Sequence, residues 1–313
     1  MVAVGGDWPV LRPVRWIGRA RIDLDRHSHP EHVAPVRIRA GAFGDGTPHR
    51  DLLLSPDHAV FRDGALIPVR LLLNGATIVQ EKRAGRITYF HVELDSHDVL
   101  LAEGLPAESY LDTGNRDAFD NAGKVQALHP DFAARSWDER GCAPLLLGGA
   151  VVAGEDARLR ARAEALGYTL TTAPGLRVFA DGVAAATLHP APGRWQVRLP
   201  AGTRRLRLLS RAFVPEHNDR SQDDRRRLGV ALTGIVLDAC RVALSSPMLA
   251  SGFHPPEGDS GREWRWTDGD AVLQLPPSHH ASMLELRAGS WARYWQSPAR
   301  RSRSAGGQRQ AVS

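Results

Sequence analysis

The sequence predicts a mostly β protein with one short helix. Short runs of alternating apolar and polar residues are separated by Gly, Pro, Asn and Asp, the pattern of short strands joined by turns. The dipeptides Asp63-Gly64 and Asn74-Gly75 are the strongest hairpin-turn signals, since both residue types accept positive backbone φ angles. Helical periodicity is scarce elsewhere in the chain, so strands dominate the prediction.

The single helix is predicted over residues 155–166. Leu159, Ala163 and Leu166 would share one face of that helix, and Gly167 follows at the position where helices usually stop. The segment is too short to form the core of a helical domain, so we expect it to pack against strands.

The spacing of these patterns predicts two domains. Residues 1–119 would form an all-β domain, and residues 120–154, which lack alternation, a linker. Residues 155–296 would form a β-sandwich-like domain that begins with the helix. Residues 297–313 are a low-complexity, Arg-containing end predicted to be disordered.

Charge and hydropathy exclude several classes of protein. The net charge is +5, but arginines such as those in residues 204–208 alternate with apolar residues, which is typical of the solvent face of a strand. The basic run 225–227 follows two aspartates, so no nucleic-acid partner is expected. No apolar run is long enough to cross a membrane, and no leader precedes the first strands. These features predict a cytoplasmic protein as written, or an extracellular one if translation starts further upstream.

No cofactor or metal is predicted. Cys142 and Cys240 lack partners at metal-ligand spacing and are expected to pack as small hydrophobic residues. A charged segment near the amino end contains several histidines without a cysteine, and we expect a solvated loop there rather than a metal site. Its histidines, with the next one along the chain, are His27, His29, His32 and His49.

Two motifs carry the chemical signal. In residues 52–61 (LLLSPDHAVF), an apolar strand leads through a Ser-Pro-Asp turn to His58 at the start of another strand. In residues 89–104 (YFHVELDSHDVLLAEG), a strand leads through an Asp-Ser-His-Asp turn to an apolar strand that ends in Gly. Each motif alone is weakly specific, and their order and spacing carry the argument.

Over residues 12–119 the chain resembles the Hint (Hedgehog/intein) domain of self-processing proteins. The first motif is similar to the Thr-x-x-His block of that family, with Ser55 in the Thr position and His58 as the His. The second is similar to the late block, with His97 and Asp98 in the turn. The segments GALIPVRLLLNGATIV and ESYLDTGNR resemble a bacterial Hint subfamily in particular.

This resemblance implies single-turnover autoprocessing, by self-splicing or self-cleavage, with the protein's own polypeptide as substrate. A Cys or Ser side chain attacks its own preceding carbonyl, an N-to-S or N-to-O acyl shift. In that scheme Ser55 and His58 polarise the peptide bond and protonate the departing amine. Asp98 would activate the nucleophile, and His97 would assist the second step. We therefore expect His58 and Asp98 to lie within reach of one small cleft.

The chain departs from the family pattern at its amino end. The family's nucleophile is the first residue of the domain and is followed by strands that precede the PVRWIG-like segment. Here that segment begins at Pro13, and no Cys or Ser occurs before it. We therefore expect a Hint domain without its early strands and Cys block, inactive as written.

Two simpler interpretations stay open for the site. His58 could be an ordinary turn histidine, and His97-Asp98 could be a polar hairpin turn, because both residue types tolerate unusual backbone angles. A conventional multiple-turnover hydrolase is disfavoured, since the sequence contains no Gly-x-Ser-x-Gly turn and no zinc helix motif.

The alternative function is non-catalytic binding of a glycan or protein partner by the second domain. Its segments resemble a module found behind Hint domains of this kind, which implies no reaction. Trp264 and Trp266 could stack on sugars if exposed, although core packing is favoured. A buried ion-pair network is likewise favoured over a pocket for the other polar candidates. These are Arg211, Arg225, Arg226, Arg227, His254 and Glu257.

Overall fold

The computed structural model of the chain describes residues 1–5, 10–82, 85–121, 137, 139–289 and 291–298. The predicted mostly β fold is confirmed, and every pairing between its named strands is antiparallel. Three α-helices are described, α1 (Pro30–Val33), α2 (Ala150–Ala165) and α3 (Pro215–Asn218). Among the described residues, none of the helices has the length and apolar character that crossing a bilayer requires. The predicted disordered end falls mostly outside the described residues.

The first region, residues 2–118, contains eleven strands in three small sheets in the part of the chain that the structure describes. A six-stranded sheet has the order β2-β1-β10-β11-β6-β7, β3 pairs with β9, and β4 lies between β5 and β8. The first region also contains short 3-10 helices at Val69–Leu72 and Arg116–Ala118. The strands are β1 Val2–Val4, β2 Val10–Arg12, β3 Trp16–Asp23, β4 Val36–Ile38, β5 Leu52–Leu54, β6 Ala59–Arg62, β7 Ala65–Pro68, β8 Ile78–Gln80, β9 Arg86–Glu93, β10 Val99–Ala102 and β11 Leu105–Glu108.

One of the two predicted hairpin turns is confirmed. Asp63 and Gly64 have φ angles of 47° and 79° and join β6 to β7. The prediction for Asn74-Gly75 is wrong, because a 3-10 helix rather than a strand precedes it. The Asn74 side chain is fully buried, and its Oδ1 accepts hydrogen bonds from the three backbone amides of residues 76–78. The buried amide thus shapes a turn that leads into β8.

The expectation of no strands before Pro13 is also wrong. β1 and β2 form a hairpin that precedes it, and β1 pairs with β10 through Val4 and Leu100. All three residues of β2 are exposed, so the strand lacks the apolar alternation by which strands are recognised in a sequence.

Helix α2 packs on the core of the first region. The helix begins at Ala150 rather than at the predicted residue 155, directly after Gly149, whose φ is 90°. Val152 and Leu159 are buried in the apolar cluster formed by β4, β6, β7 and β8. The apolar contacts of the helix lie with the first core, while Asp156 pairs with Arg220 and Arg160 donates to the His217 carbonyl in the second region. The predicted domain boundary at residue 155 stays a prediction.

The second region, residues 169–296, is built around one curled ten-stranded sheet, and β12 and β23 form a separate pair. Many of its buried side chains form one apolar cluster that includes Trp195, Leu206, Leu232 and Leu284. A second cluster includes Ala231, Trp266 and Tyr294. The strands are β12 Thr169–Thr171, β13 Arg177–Ala180, β14 Val183–Ala184, β15 Thr187–Ala191, β16 Arg194–Leu199, β17 Arg205–Leu209, β18 Ala231–Leu237, β19 Cys240–Val242, β20 Leu249–Asp259, β21 Arg262–Gln274, β22 Ser282–Ala288 and β23 Tyr294–Gln296.

Candidate functional site

A cleft of about 370 Å³ opens in the first region. One wall comes from the turn before β6 and from β9, and another from the end of β11. The residues that follow the first region close the cleft from the other side. The lining side chains of interest are Ser55, His58, His91, Glu108, Ser109, Tyr110, Trp137, Leu145 and Leu147.

The turn before β6 places Ser55 and His58 at the cleft. The backbone N–H of His58 donates to the Ser55 carbonyl at 3.1 Å, which closes the turn. The next segment holds it in place, since Val69 N–H donates to the His58 carbonyl at 3.0 Å and Arg70 N–H donates to the Pro56 carbonyl at 2.9 Å. His58 therefore lies at the end of this turn, and it also lines the cleft.

The imidazole of His58 is held neutral. Its ring lies 5.6 Å from the ring of His91, centroid to centroid. Loss of water around the ring lowers the pKa of His58 to about 3, and the nearby His91 adds to this. Burial also lowers the pKa of His91. At neutral pH the two rings can therefore accept or donate hydrogen bonds without carrying charge.

Glu108 is a second ionisable group held neutral. Its Oε1 accepts a hydrogen bond from Ala59 N–H at 2.7 Å, so the carboxyl group lies beside the start of β6. Burial raises the pKa of Glu108 to about 8, and the hydrogen bond from Ala59 only partly opposes that shift. A carboxylic acid that keeps its proton at neutral pH can donate it. Sequence reasoning missed Glu108 and His91, because only the pairing of β6 with β11 and the approach of β9 bring them to His58.

His97 and Asp98 lie behind the cleft rather than on its surface, in the part of the chain that the structure describes. The side chain of His97 has no exposed area, and its Nε2 lies 4.0 Å from Oε2 of Glu108. Burial lowers the pKa of His97. Asp98 N–H donates to Ser109 Oγ at 2.9 Å, and Asp98 Oδ1 accepts from Val99 N–H at 2.8 Å. The predicted site residues thus lie around Glu108 and Ser109. Ser55 and His58 line the cleft, whereas His97 and Asp98 do not.

Cys142 joins this group from outside the first region. The expectation that both cysteines are packed is wrong, since Cys142 and Cys240 are exposed. The backbone N–H of Cys142 donates to His97 Nδ1 at 3.0 Å. Sequence analysis missed this contact because the two residues are separated by 45 positions and by a segment without periodicity.

Residues 6–114 match a known protein family, which is described as the Hint domain. The chain carries a Hint domain. The match covers about a third of the chain and includes Ser55, His58, His91, Glu108 and the other cleft residues up to Thr113. No curated protein and no solved structure matches the chain. The second region and the residues around Cys142 lie outside the matched Hint domain.

The histidine-rich segment at the start of α1 in the Hint domain brings three potential metal ligands together. One ligand atom from each of His29, Glu31 and His32 lies within 4.8 Å of the others, and all three residues are exposed. His29 Nδ1 and Glu31 Oε1 already contact each other at 3.2 Å. The segment is exposed, as the sequence predicted, but the prediction of a loop is wrong for residues 30–33, which form α1.

Outside the Hint domain, the aromatic and charged candidates of the second region are mostly packed or paired. Trp266 is 6% exposed, so the idea that both tryptophans form an exposed stacking surface is wrong. Trp264 is half-buried, and its indole N–H donates to Glu257 Oε2 at 3.2 Å. Arg226 bridges Asp224 and Glu257 at 2.7 and 2.6 Å. The charged residues are paired, as the sequence predicted, but the prediction that the network is buried is wrong, since the Arg226 side chain is 41% exposed.

Proposed function

We propose that the cleft of the Hint domain is a self-processing site that promotes an acyl shift at a peptide bond of its own polypeptide. The observation that carries the proposal is the neutral imidazole of His58 in a cleft that also presents Ser55 and a protonated Glu108. These groups can transfer protons in a site from which water is largely excluded, which is what the breaking of an amide requires.

The step has a defined balance of bonds and protons. The S–H or O–H group of a Cys or Ser adds to the carbonyl carbon that precedes it, so a C–S or C–O bond forms and the C–N bond breaks. The nucleophile's proton is transferred through His58 to the departing amine. His58 suits this role because an imidazolium whose pKa is near 3 gives up its proton readily. Ser55 would donate a hydrogen bond to the carbonyl oxygen.

We further propose that residues 1–313 alone do not cleave themselves at the amino end. No Cys or Ser occurs in residues 1–12, where the family pattern puts the nucleophile. The cleft would then hold the proton-transfer groups without the nucleophile that they serve.

Intact-mass measurement tests the proposal. The full chain is expressed with the codons that precede Met1 in the gene restored, and incubated with and without dithiothreitol. We expect thiol-dependent release of an amino-terminal peptide, lost in His58→Ala and retained in His189→Ala, an exposed histidine of the second region. An unchanged mass contradicts the proposal, and so does a preceding region without Cys or Ser.

A second candidate, binding of a glycan or protein by the second region, is favoured by one observation. Trp291 is 56% exposed, and its ring contacts Trp264 and Trp266 edge-on at 5.9 and 6.5 Å between centroids. A rigidly supported, exposed indole is a good stacking surface. Binding to an oligosaccharide array that is lost in Trp291→Ala would support this candidate, and an array without signal would oppose it.

A further inference from the structure

A peptide bond downstream of the Hint domain lies against one of its buried histidines. The bond joins Gly141 to Cys142, and its N–H donates to Nδ1 of His97 at 3.0 Å. His97 has no exposed side-chain area, and its other ring nitrogen, Nε2, lies 4.0 Å from Oε2 of Glu108. The ring of Trp137 covers His97 edge-on at 5.2 Å between centroids. The amide thus sits beside an imidazole that is shielded from solvent.

The residues around this bond are held on the Hint domain on both sides. Leu66 N–H donates to the Pro144 carbonyl at 2.8 Å, and Leu146 N–H donates to the Leu66 carbonyl at 2.9 Å. Before the bond, the Arg140 guanidinium donates to the Asp112 carbonyl at 2.8 Å. These contacts keep the Gly141–Cys142 bond in place without the need for a separate substrate to bind.

Gly141 makes the approach sterically feasible. Its N–H donates to the Trp137 carbonyl at 3.0 Å, closing a tight turn. A Cβ atom at this position would lie 2.6 Å from the Trp137 carbonyl oxygen, closer than side-chain carbons approach. The turn therefore requires glycine, and it leaves the Gly141 carbonyl without a branched side chain that would hinder attack.

Cys142 and the Asp98 carboxylate both lie near the imidazole of His97. Cys142 is exposed as a residue, yet desolvation of its thiol and then the charge of Asp98 raise the pKa of Cys142 to about 11. The thiol therefore keeps its proton at neutral pH, and attack requires a nearby base. The charge of Asp98 also acts on His97.

We propose that the Gly141–Cys142 bond is an internal self-cleavage site of this protein, with Cys142 as nucleophile and His97 as the proton carrier. Sγ of Cys142 adds to the Gly141 carbonyl carbon, forming the C–S bond. The thiol proton passes to His97 Nδ1 and then to the nitrogen of Cys142 as the C–N bond breaks. The Asp98 carboxylate stabilises the imidazolium formed between the two transfers. The product is a thioester between Gly141 and Cys142 with a free amine, and water or an added thiol resolves it.

This inference goes beyond the proposed function, because it concerns a different bond and a nucleophile that is present in the chain. Its products would be residues 1–141, which contain the Hint domain, and residues 142–313, which begin with Cys142. Helix α2 belongs to the second product, yet Val152 and Leu159 are buried in the core of the first. The two products would therefore stay associated until denatured.

Denaturing mass spectrometry tests the inference directly. The full chain is incubated at pH 8 with dithiothreitol over several days, and a peptide thioester is then added. We expect two fragments that meet between residues 141 and 142, and ligation of the thioester peptide to the second. This ligation requires an amino-terminal cysteine, which general proteolysis would not supply at this position.

Matched variants separate this chemistry from a structural role for the same residues. Cys142→Ala should abolish cleavage without unfolding the chain, because Cys142 is exposed. Cys240→Ala removes the other exposed cysteine and should cleave at the wild-type rate. His97→Ala should slow cleavage at least about tenfold, as expected when a general acid-base is lost, with folding checked by circular dichroism. Cleavage that persists in Cys142→Ala, or a wild-type chain of unchanged mass, overturns the inference.

The two proposals can fail independently. Release of a peptide upstream of Met1 depends on His58 and on a nucleophile before Pro13, whereas cleavage after Gly141 depends on Cys142. A chain that cleaves at only one of the two places supports one proposal and contradicts the other.

Discussion

The cleft of the Hint domain and the charged network around Arg226 in the second region treat their ionisable groups in opposite ways. In the Hint cleft, burial raises the pKa of Glu108 to about 8 and lowers the pKa of His58 to about 3, so both are uncharged at neutral pH. In the second region, hydrogen bonds with Arg226 lower the pKa of Asp224, and those with Asp224 raise the pKa of Arg226. The cleft removes charge by excluding water, and the second region keeps charge by pairing it.

This difference separates a candidate for chemistry from a candidate for structure. Desolvation raises the pKa of an acid and lowers the pKa of a base, so both groups stay neutral and can exchange protons. Such groups concentrate at functional sites. A partly exposed ion pair stabilises both charges and has no reason to release a proton. We therefore place chemistry in the Hint domain and expect the charged network of the second region to contribute little beyond packing and solubility.

The largest change in the free energy of unfolding should come from a third kind of ionisable group, a carboxylate that is both buried and ion-paired. Glu155 on α2 is 1% exposed, and its Oε1 accepts from Arg62 Nε at 2.7 Å. Glu155→Ala leaves Arg62 without this partner and should lower the free energy of unfolding by about 3 kcal/mol in urea titrations. Glu164→Ala, at an exposed position of the same helix, is the control. A loss under about 1 kcal/mol for Glu155→Ala would show that the pair is not effectively buried.

A smaller, pH-dependent effect should come from Glu108. Its pKa of about 8 in the folded protein exceeds the ordinary glutamate value of 4.5, so between these two pH values the folded state binds more protons than the unfolded state. The protonated acid therefore stabilises the folded protein at acid pH, and this contribution to the free energy of unfolding is lost as the pH rises towards 8. Glu108→Gln keeps an acceptor for Ala59 N–H but cannot ionise.

Urea titrations at pH 5, 7 and 9 check this expectation. The variant should gain about 2 kcal/mol relative to the wild type between pH 5 and pH 9, an order-of-magnitude figure for a side chain that is 12% exposed. Parallel stability curves for the two proteins would show that the cleft is wetter than its lining implies, and the contrast with the second region would then disappear.

The smallest effect should come from the paired charges of the second region. Asp224→Asn keeps the acceptor for Arg226 N–H but removes the charge facing a guanidinium whose side chain is 41% exposed. We expect a loss below about 1 kcal/mol, decreasing further in 1 M NaCl because salt screens exposed pairs. Glu263→Gln, an exposed strand position, controls for the change in net charge. A salt-independent loss of several kcal/mol would mean that this network is as critical as the buried one.

Local patterns in the sequence predicted much of the fold. Apolar alternation identified most strands, Asp63-Gly64 identified a hairpin, and the periodic segment around Leu159 identified α2. The signals failed at one buried turn and at one exposed strand. Asn74 is a fully buried amide that caps backbone N–H groups, and the exposed strand Val10–Arg12 has no alternation to detect.

The sequence by itself determined the mostly β fold, the Hint resemblance, and the two turns that carry Ser55, His58, His97 and Asp98, because these depend on residue order over a few positions. Only the tertiary structure decided that Glu108 and His91 meet His58 and that the Cys142 amide meets His97. The pKa displacements likewise arise from water excluded by strands distant in sequence, and no local pattern encodes that exclusion.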